Sequence, residues 1–212
     1  MDTKEICIVG GDGLARECYT YIERMRLSWG GISFKGFWGE GGHEPKLKEF
    51  MPLFKGDVSG YSFKANDYVV LGSGIPEIRS RTYECLLKRG VRFFTVLDPS
   101  SVVFDYSDIG EANIFATNCR ISSQSKIGNG NVFNGDNTIG HDASVGNFNF
   151  IAPQVQLLGH VKVGSFNSIG TGSVILPKVS VGNGNKIAPL SAVYSRCRDN
   201  KTLLGNPAVE VL

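Results

Sequence analysis

A histidine followed directly by an aspartate, His141-Asp142, is the residue pair in this chain best suited to proton transfer. A neutral imidazole with a pKa of about 6.5 can accept a proton at neutral pH. A carboxylate can fix the imidazole tautomer and stabilise the imidazolium ion. Adjacent residues need not bond to each other, however, and a solvated surface histidine is the alternative interpretation.

Two glycine-rich turns could approach a phosphate. Gly10-Gly11-Asp12-Gly13 follows an apolar strand, and Gly72-Ser73-Gly74 follows another. Glycine lets the backbone come close to a phosphate, and the N-terminus of the following helix favours negative charge. The first turn lacks the full dinucleotide spacing GxGxxG, so a tight turn without a ligand remains the alternative.

The elements around these turns predict a small parallel α/β sheet in the first half of the chain. Residues 39–66 are polar and irregular, and we expect a loop with one short strand there. The predicted strands are 6–9, 32–38, 68–71 and 91–97, and the predicted helices are 14–25 and 76–88. Ligands of such sheets bind beyond the carboxyl ends of the strands, where both glycine turns lie.

The second half of the chain repeats with a strict period of six. Sixteen apolar residues follow one another without an insertion: Val103, Ile109, Phe115, Ile121, Ile127, Phe133, Ile139, Val145, Ile151, Leu157, Val163, Ile169, Ile175, Val181, Ile187 and Val193. Helices and alternating strands have other periods. The pattern predicts a parallel β-helix with three hexads per coil and coils about 4.8 Å apart. The small residue after most core positions and the compact residue two places before most of them are expected to let the chain turn. A sandwich with coincidental spacing is the alternative.

Composition excludes several classes of protein. The 212 residues carry a net charge of +2, which gives no indication of a nucleic-acid surface. No signal peptide or membrane span is visible. The five cysteines are scattered and do not cluster with His43, His141 or His160, so we expect reduced thiols, a cytoplasmic protein and no metal site.

Several segments resemble the hexapeptide-repeat acyltransferases, specifically the sialic acid O-acetyltransferase and sugar-nucleotide N-acetyltransferase group. The resemblance covers nearly the whole chain, and His141 lies in its most specific segment. The similar segments are 8–17 (IVGGDGLARE), 36–40 (GFWGE), 98–101 (DPSS), 139–142 (IGHD) and 205–208 (GNPA). The resemblance implies an α/β N-terminal Rossmann-like domain at 1–98, followed by an all-β left-handed parallel β-helix at 99–212.

The resemblance also implies roles for individual residues. His141 would be the general base supported by Asp142, and the Gly159 N–H would face the thioester carbonyl of acetyl-CoA. The other implied acetyl-CoA contacts are His160, Phe150, Thr171 and Ala188. The implied acceptor contacts are Gly10, Gly11, Asp12, Gly13, Glu40, Ser73 and Asn134.

The chain departs from the family pattern in four places. Asp12 replaces a glycine, and Gly39-Glu40 replaces an acidic pair. His160 stands where asparagine is common, and Phe150 stands where some members carry a second histidine. The first two departures leave the identity of the nucleotide open, and the last argues against a mechanism with two histidines.

The expected function is transfer of acetyl from acetyl-CoA to the amine of a nucleotide-linked sugar, such as a 4-amino-4,6-dideoxyhexose, in the biosynthesis of a surface polysaccharide or glycan. The amine would attack directly, without a covalent acetyl-enzyme, because no cysteine has a recognisable activating partner. A flat-faced prism offers no deep pocket, so we expect a homotrimer with clefts between neighbours. Two alternatives remain: O-acetylation of a sialic acid or glycan, and a non-catalytic binding protein built on the same repeat.

Overall fold

The computed structural model describes residues 3–41 and 45–211, and His43 lies outside this part. The chain divides into two compact units, Met1–Pro99 and Ser100–Leu212. Among the described residues, no helix is both long and apolar enough to cross a membrane.

The first unit alternates strands and helices, as its sequence predicts. Its elements are β1 (Lys4–Val9), α1 (Gly13–Trp29), β2 (Ile32–Gly39), a 3₁₀ helix (Lys48–Leu53), β3 (Phe54–Asp57), a second 3₁₀ helix (Val58–Gly60), β4 (Asp67–Leu71), α2 (Pro76–Leu87), β5 (Arg92–Phe93) and β6 (Val96–Leu97). Strands β1 to β5 form one parallel sheet in the order β3-β2-β1-β4-β5. The order reverses between β1 and β4, and each of these strands runs into one of the glycine turns.

Most predicted elements of this unit are correct to within two residues, and two of them differ by more. Helix α1 continues four residues past Met25, because no helix breaker occurs before Gly30 and Gly31, which adopt φ values of 68° and 70°. The predicted strand 91–97 is two short strands separated by Phe94 and Thr95. Region 39–66 contains the one expected strand, β3, together with the two 3₁₀ helices.

The second unit is a parallel β-helix, as the hexad predicts. Its sixteen two-residue strands, β7 to β22, are Val102–Val103, Asp108–Ile109, Ile114–Phe115, Arg120–Ile121, Lys126–Ile127, Val132–Phe133, Thr138–Ile139, Ser144–Val145, Phe150–Ile151, Gln156–Leu157, Lys162–Val163, Ser168–Ile169, Val174–Ile175, Ser180–Val181, Lys186–Ile187 and Ala192–Val193. Each strand from β7 to β19 pairs in parallel with the strand three further on, so residues 18 apart stack on one another. The strands therefore make three faces: the first begins with β7, the second with β8 and the third with β9.

The apolar hexad residues form the core of this unit. All of them are buried except Val103 and Ile109, which lie on the first coil and have no coil before them. Phe115 and Phe133 stack with ring centroids 4.9 Å apart and 7° between the ring planes. One coil cannot bury its own apolar row, so the core exists only because the coils stack.

A ladder of buried asparagines runs along the corner after the second face: Asn113, Asn131, Asn149, Asn167 and Asn185. Each side-chain amide from Asn131 onward donates to the Oδ1 of the asparagine one coil earlier, at 2.9 to 3.1 Å. Because the 18-residue repeat puts identical groups in register, every buried amide along this corner meets the next one.

The prediction that a small residue makes the turn is wrong. The left-handed residue at most corners lies three places after the core position, and it is usually not glycine: Phe148 has φ 53° and Lys178 has φ 64°. The glycine directly after the core residue serves packing instead. A Cβ on Gly128 would lie 2.8 Å from the carbonyl oxygen of Gly146, so the backbone of the next coil excludes a side chain at this position.

The third face continues into two further strands. Strand β23 (Thr202–Leu204) pairs in parallel with Lys186–Ile187, and β24 (Val209–Val211) then pairs with β23 in the antiparallel direction. The last parallel rung of this face is thereby covered by a strand of reversed direction.

Candidate active site

His141 and Asp142 form a hydrogen-bonded pair on the corner after the first face. Both residues follow the strand Thr138–Ile139 closely, and the chain turns at Asp142, which is left-handed with φ 58°. His141 Nδ1 lies 2.7 Å from Asp142 Oδ2, and the two side chains are 63% and 38% exposed. The predicted partnership therefore has the geometry of a base and its supporting carboxylate, at a surface that a substrate can reach.

The hydrogen bond also determines the tautomer of His141. An ionised carboxylate can only accept hydrogen bonds, so Nδ1 carries the proton and Nε2 keeps its lone pair. Nε2 lies against Gly159 on the next coil, where a Cβ would come within 2.8 Å of this nitrogen. Gly159 thus leaves the space in which the basic nitrogen sits.

Gly159 also presents an unused donor. Across residues 3–41 and 45–211, its backbone N–H donates to no acceptor. An N–H held in a fixed coil next to a base can stabilise negative charge on a reacting carbonyl oxygen. The corner therefore places a basic nitrogen and a free backbone donor side by side, a combination that can serve acyl transfer.

His160 lies one coil beyond Asp142 on the same corner. Its N–H donates to the His141 carbonyl at 2.9 Å, and its Nδ1 lies 3.9 Å from Asp142 Oδ2. The rings of His141 and His160 meet edge to face with centroids 5.0 Å apart. Residues 141 and 160 are far apart in the sequence, and they come into contact because residues about 18 apart stack on successive coils.

The other predicted acetyl-CoA residues occupy a different part of the coil. Thr171 and Ala188 lie on the corner after the third face, on successive coils, and Phe150 lies in a strand of that face. Asn134 is on the same corner, where its Oδ1 accepts the N–H of Gly135 at 2.9 Å. Within one chain these residues are separated from the His141 corner by the width of a face.

Five of the seven predicted acceptor residues gather in a cleft of the first unit, whereas Asn134 belongs to the second unit. A cavity of about 140 Å³ lies beyond the carboxyl ends of β1, β2 and β4. It is lined by Gly10, Gly11, Asp12, Glu40 and Ser73 among others. Gly13, by contrast, is the first residue of α1 and does not line the cleft.

The glycines of the cleft are there for close approach of backbone to backbone. A Cβ on Gly10 would lie 2.8 Å from the carbonyl carbon of Gly72, and a Cβ on Gly11 would lie 2.8 Å from Pro45. Helix α1 then begins without a cap, because the Asp12 side chain makes no hydrogen bond to the helix. An uncapped helix N-terminus facing a cleft can hold an anion.

Polar side chains of α2 complete this cleft. Thr82 donates its hydroxyl to a Glu40 carboxylate oxygen, and the other oxygen lies 3.8 Å from Arg81 Nε. The buried Arg79 guanidinium donates to the carbonyls of Leu71 at 2.5 Å and Ser73 at 3.0 Å. Burial lowers the pKa of Arg79 to about 10, so the side chain still holds the turn after β4 as a cation at neutral pH.

Arg79 was not among the residues predicted from the sequence, because α2 has no clear apolar stripe and several of its buried residues are polar.

None of the five cysteines forms a disulfide bond. Burial raises the pKa of both Cys7 and Cys18 to about 12, which leaves these thiols protonated and unreactive at neutral pH.

No protein-family model matches the chain, and no curated protein matches it by sequence. Solved structures do match. PerB from Caulobacter crescentus, solved with CoA and GDP-perosamine, has a TM-score of 0.83 at 22% identity over 98% of this chain and 97% of that one. The acetyltransferase domain of PglB from Neisseria gonorrhoeae has a TM-score of 0.84 at 20% identity, and WeeI from Acinetobacter baumannii has 0.85 at 20%; each covers 99% of this chain and 100% of its own.

These likenesses confirm the predicted fold of the second unit. Its parallel strands, repeated in sets of three, fit the left-handed β-helix of hexapeptide transferases. At 18–22% identity, the likeness concerns the fold, and the chemistry has to be argued from the residues of this chain.

Proposed function

We propose that this protein is an acetyl-CoA-dependent N-acetyltransferase that acts on the amino group of a nucleotide-linked sugar. The observation that carries the proposal is the His141 corner, where Asp142 fixes a tautomer that leaves Nε2 basic beside the free N–H of Gly159. The similar structures add weight, since PerB was solved with CoA and GDP-perosamine and the PglB domain with acetyl coenzyme A.

The residues of this corner account for the reaction. Acetyl-CoA would supply an activated thioester carbonyl. His141 Nε2 takes the proton from the amine as its nitrogen bonds to the carbonyl carbon, and Asp142 stabilises the resulting imidazolium. The Gly159 N–H stabilises the negative charge that develops on the carbonyl oxygen. The proton held on His141 then goes to the departing thiolate, so no covalent acetyl-enzyme is needed.

The first unit supplies the acceptor site in this proposal. Its parallel sheet reverses order between β1 and β4, which supports a Rossmann-like nucleotide site at that point. The uncapped start of α1 would bind the diphosphate, while Glu40 and Ser73 would contact the nucleoside or sugar. The amino sugar of PerB is GDP-perosamine, and a 4-amino-4,6-dideoxyhexose is the sugar we propose here, in a pathway of surface polysaccharide or glycan synthesis.

We further propose that the working molecule is a homotrimer in the cytoplasm. Gly159 and His160 lie on one corner of the prism, whereas Thr171, Ala188 and Asn134 lie on another. A neighbouring copy that brings its second set against the first would unite all five in one cleft.

Thiol release from acetyl-CoA, measured with a panel of amino-sugar nucleotides that begins with GDP-perosamine, tests the proposed activity. We expect turnover with at least one amine and much slower turnover with the matching hydroxyl sugars. In His141→Asn, kcat should fall by roughly 10²- to 10⁴-fold, while acetyl-CoA binding persists. No turnover with any acceptor, or a loss below threefold in the variant, would contradict the proposal.

A further inference from the structure

His141, Asp142 and His160 form a cluster of three side chains that can ligate a metal ion. One ligand atom from each residue lies within 4.8 Å of the other two. Asp142 Oδ2 is central, since it lies 2.7 Å from Nδ1 of His141 and 3.9 Å from Nδ1 of His160. Neighbouring ligands of a tetrahedral zinc ion are about 3.3 Å apart, given bonds of about 2.0 Å, and the two distances lie on either side of this value.

The backbone holds the cluster in place. Asp142 and His160 are left-handed corner residues on successive coils, with φ values of 58° and 59°. The His160 N–H donates to the His141 carbonyl at 2.9 Å, and the Asp142 N–H donates to the Ser123 carbonyl at 3.2 Å. Only side-chain rotations are therefore needed to bring the three ligand atoms together.

We propose that this cluster binds one Zn²⁺ ion and that the bound ion inhibits the enzyme. Two imidazoles and a carboxylate suit Zn²⁺ and related transition metals, whereas Mg²⁺ and Ca²⁺ prefer oxygen ligands alone. All three side chains are exposed, so the ion can enter from solvent and complete its coordination with water.

The inhibition follows from the tautomer, and in this respect the inference rests on the proposed function. A metal ion on His141 Nδ1 occupies the lone pair of that nitrogen, so the imidazole proton moves to Nε2. An Nε2 that carries the proton cannot accept another from the amine. Asp142 is also drawn to the metal and no longer supports the base.

Zinc binding to the full-length, tag-free chain should be measured by isothermal titration calorimetry, without CoA, whose thiol binds zinc itself. We expect one ion per chain. His160→Asn should weaken binding by at least about tenfold, since even the loss of a residue that only supports a metal ligand costs that much. The matched control is Asp136→Asn, because Asp136 is an exposed left-handed corner carboxylate on another corner, with φ 63°.

The absence of saturable one-to-one binding would overturn the inference, as would equal affinity in His160→Asn and the unaltered protein. Initial rates of acetyl transfer provide the second measurement. Zinc should inhibit the unaltered enzyme and inhibit His160→Asn at least tenfold more weakly relative to its own zinc-free rate. Zinc binding without any acetyl transfer would refute the proposed activity and leave the metal site standing.

Discussion

The orientation of the His141 imidazole depends on the absence of a side chain at Gly159, its neighbour on the next coil. A Cβ at position 159 would lie 2.8 Å from Nε2 and 3.0 Å from Cε1 of His141. The ring is exposed and can rotate away at little cost, so its orientation is more sensitive to this position than the stability of the fold is.

Gly159→Ala should therefore lower kcat by roughly tenfold or more, because a general base has to lie within hydrogen-bond reach of its proton. Stopped-assay kinetics with saturating substrates measure the change, and the melting temperature should move by only a few degrees. Gly60→Ala is the control, since a Cβ there meets nothing within 4 Å. Unchanged kcat would show that the ring does not work from this orientation.

At this scale the sequence identified the residues but not their geometry. The pair His141-Asp142 can be found by resemblance, yet adjacency does not imply a hydrogen bond. The bond is formed with Asp142 in the left-handed conformation, which is uncommon for a non-glycine residue. Arg79 was missed for a related reason, because a buried arginine is recognisable only when the carbonyls around it are known.

At the scale of the elements, the asparagine ladder joins successive coils by buried side-chain hydrogen bonds. Asn149 donates its amide to Asn131 Oδ1 and to the Gly164 carbonyl, both at 2.9 Å, and its Oδ1 accepts from the backbone and side chain of Asn167. Asn149 is fully buried, so water cannot replace these bonds.

Asn149→Ala should lower the free energy of unfolding by roughly 2–4 kcal/mol, because it leaves several buried polar groups without partners. Urea unfolding followed by circular dichroism measures this change. Asn147→Ala is the matched control. The Asn147 side chain likewise bonds to a neighbouring coil, where it accepts the N–H of Asn129, but it is exposed, and its loss should cost below about 1 kcal/mol. Equal losses in the two variants would contradict the role assigned to burial.

The turn after β4 belongs to the acceptor cleft in our proposal. Ser73→Glu would add a negative charge beside the proposed diphosphate site. The KM for the nucleotide sugar should rise roughly tenfold or more, since repulsion of about 1.4 kcal/mol is sufficient for that factor. The affinity for acetyl-CoA should remain the same.

Steady-state kinetics with each substrate varied in turn separate these two effects. Thr20→Glu adds the same charge on the exposed side of α1 and should leave both constants unchanged. If Ser73→Glu weakened acetyl-CoA and the nucleotide sugar equally, the cleft would not be a dedicated acceptor site.

The elements of the second unit were easier to predict than those of the first. A period of six places every strand, because each hexad must bury one apolar residue. The prediction for the corners is wrong, because the glycine after the core residue makes room for the next coil and does not turn the chain. In the first unit, nothing in residues 91–97 indicated the interruption at Phe94 and Thr95.

For the whole molecule, the proposed trimer makes the clearest prediction. Sedimentation velocity of the purified chain should give a single species with the mass of three chains, about 69 kDa from 23.0 kDa each. The reason is that the two groups of proposed acetyl-CoA residues lie on separate corners of one prism. A monomer that is stable and fully active would contradict the proposal.

The stacking of residues 18 apart also governs which changes in chain length this fold can accept. Loss of one whole coil leaves every remaining residue on its own face, and the asparagine ladder simply closes up by one step. Loss of a single hexad instead rotates all later residues by a third of a turn. Asn167 would then no longer stand above Asn149, and the His141 corner would meet a different column of side chains. The fold should therefore tolerate insertions and deletions in this half of the chain when they comprise multiples of three hexads. It should also tolerate inserted loops that extend outward from a corner and do not disturb the strands.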